Sequence, residues 1–85
     1  MSLAKGEIVE RVVSYVVKSI VEDPEAVQVT LVEQGPDEFV AEVRTAKPDM
    51  GRVIGRRGRV AKAIRAAAGA AGEEEGINAG VEFLD

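Results

Sequence analysis

The sequence predicts an α+β fold in which the elements run αββααβ and helices pack on one face of a three-stranded sheet. Three observations carry that prediction. A valine-rich stretch near the N-terminus repeats with helical spacing. Two runs with strand alternation flank a turn cluster. A pair of helical stretches separated by Gly55 and Gly58 then leads into a last alternating run. The 85 residues make one domain with no linker, repeat or low-complexity tail.

In the first helix Ile8, Val9, Val12, Val13, Val16, Val17, Ile20 and Val21 recur as pairs every fourth residue, forming one apolar stripe. Valine and isoleucine are weak helix formers, so packing of the stripe must stabilise the element. Glu22-Asp23-Pro24 ends it, because proline disfavours helical geometry at the residue before it. Val27, Val29 and Leu31 then alternate with Gln28, Thr30 and Val32, and Phe39, Ala41 and Val43 with Val40, Glu42 and Arg44. Gln34-Gly35-Pro36-Asp37 between these runs predicts an antiparallel hairpin.

Ala46-Lys47-Pro48-Asp49 is a helix-start signal, and a short helix through Met50, Val53 and Ile54 should stop at Gly55. The next helix should span Arg59 to Ala71, with Val60, Ala63, Ile64, Ala67 and Ala71 inward and Arg59, Lys62 and Arg65 outward. Gly72 to Gly76, containing Glu73-Glu74-Glu75, reads as an acidic loop. The last strand is Ala79 to Leu84.

The net charge of −4 argues against a polyanionic partner until its distribution is considered. Between Arg44 and Arg65 lie eight cations against the single acid Asp49, a local net of +7, whereas the remainder carries −11. Attraction of a polyanion depends on the field within about 8 Å at physiological salt more than on the total. With no cysteine and no histidine, thiolate and imidazole metal sites and Cys–His catalysis are excluded. Glu10, Arg11 and Lys18 interrupt the N-terminal apolar stretch, so it is neither a signal peptide nor a membrane span. The expectation is a soluble, cytoplasmic protein that needs no cofactor and is not an enzyme.

The chemistry concentrates in Val53-Ile54-Gly55-Arg56-Arg57-Gly58-Arg59. A sharp turn between two helices favours glycine, and the absence of Cβ atoms at Gly55 and Gly58 lets a phosphodiester strand approach the main chain. The start of the following helix aims unpaired N–H groups and a partial positive charge at that loop. Arg56 and Arg57 project as phosphate partners, with Arg59, Lys62 and Arg52 nearby, and Val53 and Ile54 are the candidates for an apolar base groove. Aromatic content of 4% leaves little for an aromatic stacking platform. The alternative is an ordinary helix–helix turn with a solvated basic face. Against it, adjacent arginines at a tight turn repel one another unless an anion lies between them. The spacing fits neither a dinucleotide-binding Gly-x-Gly-x-x-Gly nor a P-loop, which would need Gly-Lys-Ser or Gly-Lys-Thr.

This loop, flanked by Gly51 and by Ala63-Ile64, resembles the Gly-x-x-Gly signature of KH domains, and the αββααβ order resembles their type II topology. The valine-rich first helix, the Asp23-Pro24 break and the stretch from Pro48 to Arg65 extend the likeness over nearly the whole chain, to the KhpA family of small bacterial single-KH proteins. The resemblance implies that single-stranded RNA, about four nucleotides of it, is clamped at the loop. It further implies RNA-chaperone or post-transcriptional regulatory roles, little sequence selectivity, a homodimer, and a heteromer with a larger KhpB-type KH protein. The chain departs from a typical member in the Ala/Gly-rich segment Ala66 to Gly72 and in Gly80. A scaffold of KH fold, dimerising through its alanine-rich helix with little RNA contact of its own, is the competing reading.

Overall fold

A computed structural model describes residues 4–85. The order of elements is as predicted: α1 (Glu7–Ile20), β1 (Gln28–Gly35), β2 (Glu38–Arg44), α2 (Met50–Ile54), α3 (Arg59–Glu75) and β3 (Asn78–Leu84), with 3-10 turns at Pro24–Ala26, Lys47–Asp49 and Arg56–Gly58. β1 and β2 form the antiparallel hairpin, and β3 lies parallel beside β2, in the order β1-β2-β3. A parallel neighbour requires a long crossover, and α2 and α3 supply it. None of the described helices is long and apolar enough to cross a membrane.

The inward residues of the sheet include Phe39, Ala41 and Val43 from β2 and Val81 from β3, all buried against the helices. From α1 the seam Val9, Val13 and Val17 is fully buried, and Ile8, Val12, Val16 and Ile20 pack at its margins. Tertiary packing therefore holds a helix that its β-branched composition would not hold alone.

Two features of α3 correct the sequence reading. The helix does not stop at Ala71 but continues through the acidic triplet to Glu75, and Gly76 closes it in the left-handed conformation. There the Gly76 N–H donates to the Glu73 carbonyl (3.2 Å) and the Ile77 N–H to that of Gly72 (2.9 Å). Its buried face is Ala61, Ile64, Ala68, Ala71 and Gly72, so Ala63 is exposed and Ala67 only half-buried. A segment composed almost entirely of alanine and glycine carries little phase information, and the sheet and α1 select which side turns inward. Small side chains on that side bring α3 close to β3: a Cβ at Gly72 would lie 3.1 Å from Ala79 Cβ in the strand and 2.9 Å from the carbonyl oxygen of Ile77 just before it.

The continuation to Glu75 has a purpose in the fold. Its carboxylate accepts the Gly6 N–H at Oε1 (2.9 Å) and the Val9 N–H at Oε2 (3.1 Å). Those donors belong to the first turn of α1, where no intrahelical acceptor exists. The end of α3 thus caps the start of α1, a charge-assisted version of an N-cap supplied from far along the chain.

Candidate nucleic-acid interface

The site is assembled by α2, the loop after it, and the start of α3. What fixes α2 in place is Asp49, the one buried charged residue among those described (3% exposed). Its Oδ1 accepts the Glu22 N–H and its Oδ2 the Asp23 N–H, each at 3.1 Å. Arg52, one helical turn on, places Nε 3.4 Å from Asp49 Oδ1 and Nη2 2.5 Å from Glu22 Oε1. The end of α1 is thereby fastened to α2, and the loop is presented on a fixed base.

The two loop glycines act differently. Gly55 ends α2 with φ +74°, its N–H donating to the Gly51 carbonyl at 2.9 Å. A Cβ there would fall 2.4 Å from Val60 Cγ2 and 2.9 Å from the Val60 backbone nitrogen, so the bare α-carbon permits contact with the protein itself. Gly58 also has positive φ (+71°), but nothing lies within 4 Å of where its Cβ would be, so this side is open to an approaching strand. Between them Arg57 adopts the left-handed conformation (φ 59°, ψ 24°). A non-glycine residue there costs on the order of 1–2 kcal/mol, strain held by the helices on either side. Substituting Gly55→Ala therefore combines backbone strain with a clash against a main-chain atom. A loss of about 2 kcal/mol is expected, checked by urea denaturation, and a loss under about 0.5 kcal/mol would show the bend to be adaptable.

Arg56, Arg57, Arg59 and Lys62 are all exposed, and none of them has a carboxylate within 4.0 Å among the described residues. These four unpaired cations surround the N-terminus of α3, a 17-residue helix whose dipole adds to their field. Arg52 is different: it is half exposed but already engaged by Glu22 and Asp49. Val53 is fully buried and lies beneath the site as core, whereas Ile54, the next residue on this one-turn helix, stays partly exposed. Of the two apolar candidates, then, only Ile54 is available to touch a ligand.

Beside α2 an open cleft of about 690 Å³ is lined by Thr45, Lys47, Met50 and Asp85. On the β3 side, Arg65 leans over the edge strand, with Nε donating to the Val81 carbonyl (3.3 Å) and Cζ 5.4 Å from the Phe83 ring centroid. Sequence reasoning did not single out Met50, Thr45, Arg65 or Phe83 on this face. Only the antiparallel run of α3 and β3 brings Phe83, near the end of the chain, back to the helix that follows the loop.

The family described as KhpA/KhpB, KH domain, matches residues 10–83. The chain belongs to that family. Relatives named RNA-binding protein KhpA share its length as well as its pattern. That of Clostridium acetobutylicum is 42% identical over 69 residues, covering 81% of this chain and 91% of the relative. The Clostridium perfringens protein is 39% identical over 75 residues, covering 88% and 99%, and the Borreliella burgdorferi protein 36% over 73 residues, covering 86% and 88%. Among solved structures, that of Aquifex aeolicus Era bound to GDP and aluminium fluoride superposes on 99% of this KhpA/KhpB-family chain with a TM-score of 0.68. At 20% identity, and with only 32% of the Era chain covered, that likeness establishes the shared fold alone.

Proposed function

We propose that this chain binds single-stranded RNA, holding the sugar–phosphate strand at Gly55-Arg56-Arg57-Gly58 with Arg59 and Lys62 alongside. The observation that carries the reading is the set of four unpaired cations around an open glycine bend at a helix start. Arg52 contributes charge to the same field while positioning α2, Ile54 lines the base side, and Val53 supports it from below. The names of the relatives, RNA-binding protein KhpA, support the ligand class. The role is that of a cytoplasmic RNA chaperone or post-transcriptional regulator, without catalysis. A heteromer with a KhpB-type KH protein belongs to the same proposal, supported by a family description that joins the two. So does a homodimer, for which the exposed Ala63, Ala66 and Ala70 of α3 are the candidate contact residues.

Salt titration tests the ligand. Each phosphate neutralised on a single strand contributes about −0.7 to the slope of log K against log salt, so four cations predict a slope of about −2.8. Fluorescence anisotropy with a labelled single-stranded RNA between 50 and about 300 mM salt reads it directly. A slope near zero, or no binding of the labelled RNA at the low-salt end, would leave the scaffold reading in its place.

A further inference from the structure

We infer that Arg65, lying over Phe83, is a stacking platform for a nucleobase. The inference rests on the RNA-binding reading above and adds where a base would go. The buried Val53 cannot receive one, and two phenylalanines and one tyrosine in the whole chain leave few rings to stack on. A guanidinium plane serves the same purpose as a ring: it is flat, polarisable and stacks on either face of a base.

The geometry favours Arg65 over the other loop-side cations. The Nε bond to the Val81 carbonyl and the contact with the Phe83 ring hold its guanidinium at two points. The residue as a whole remains exposed and has no carboxylate partner among the described residues, which leaves it accessible to a ligand. It lies six positions beyond Arg59, about 9 Å along the helix axis at roughly 1.5 Å per residue. Four nucleotides clamped at the loop span about 10 Å even at a stacked spacing of roughly 3.4 Å. A strand anchored at Gly58 therefore brings a base to this height. Stacking on such a plane is open to every base, since each has a π face.

The experiment compares two labelled probes of equal length, an oligoadenylate octamer and an abasic ribose–phosphate octamer, binding to the intact chain by fluorescence anisotropy. Arg65→Lys keeps the charge and loses the plane; Phe83→Leu keeps apolar bulk and loses the ring beneath it. Both should weaken oligoadenylate binding about tenfold and abasic binding less than about twofold. Equal losses on the two probes, or no loss on oligoadenylate, would overturn the platform, reducing Arg65 to one more phosphate contact or to none. Far-UV circular dichroism checks that each variant is folded; if Phe83→Leu is not, Arg65→Lys decides alone. The loop is read separately, since Arg56→Asp with Arg57→Asp should lose both probes. Retention of both there would refute the loop as anchor and the base placement argued from it, and failure of the unaltered chain to bind either probe would refute RNA binding itself.

Discussion

Exchanging both loop arginines, Arg56→Asp with Arg57→Asp, should lower single-stranded RNA affinity by at least about a hundredfold while the melting temperature stays within a few degrees. The loss follows from charge. Two charge-assisted contacts to phosphate, each about 1.5–3 kcal/mol, are replaced by two repulsions. The segment from Arg44 to Arg65 falls from a net of +7 to +3, and the salt slope should drop to about half its value. The unchanged stability follows from exposure. Both side chains are in solvent with no partner among the described residues, and surface changes of that kind stay within about 0.5 kcal/mol. Aspartate is also among the residues best able to occupy the left-handed conformation that Arg57 holds. Anisotropy binding beside a thermal melt checks both halves. Undiminished affinity in a folded variant would refute the loop as the anchor.

The second large effect is on stability and comes from a residue outside the loop. Asp49→Ala should destabilise the fold by about 2–4 kcal/mol. It strips the acceptors from two partly buried backbone N–H groups, at about 1–3 kcal/mol each, and takes from Arg52 one of its two carboxylates. For a chain of this size each kcal/mol moves the midpoint by about 4–8 °C, so a drop of 10 °C or more is expected in a melt followed by circular dichroism. Asp49→Asn, which keeps one carbonyl acceptor, should recover part of the difference. A fall of under about 3 °C for the alanine variant would mean that water replaces the carboxylate and that α2 is held by packing alone.

Much of the fold could be read from local pattern. Paired apolar residues every fourth position located α1, alternation located the strands, and Gly35-Pro36-Asp37 located the hairpin turn. These are short-range signals, set by how many residues make a helical turn or a pleat. The reading faltered where local pattern is degenerate. In Ala66 to Ala71 every rotation of the helix buries the same small groups, so nothing local distinguished Ala68 from Ala67 as the inward residue. Glu73-Glu74-Glu75 looked like a solvated loop because three adjacent acids are usually repelled into water, yet Glu75 meets the bare N–H groups that begin α1.

The loop itself stands on both kinds of information. Its glycines, its arginines and its position between two helices are properties of consecutive residues. They were enough to suggest a phosphate-binding bend and its resemblance to KH domains.

The chain's primary structure alone determined the order of elements, the concentration of positive charge between Arg44 and Arg65, and the Gly-x-x-Gly bend, because each depends on neighbours along the backbone. Only the tertiary structure decided that Val53 is core, that Arg52 is engaged by Glu22 and Asp49, and that Arg65 lies over Phe83. Those outcomes depend on which distant groups arrive at the same place, and that is settled by the close packing of α1, α3 and the sheet rather than by any short stretch of residues.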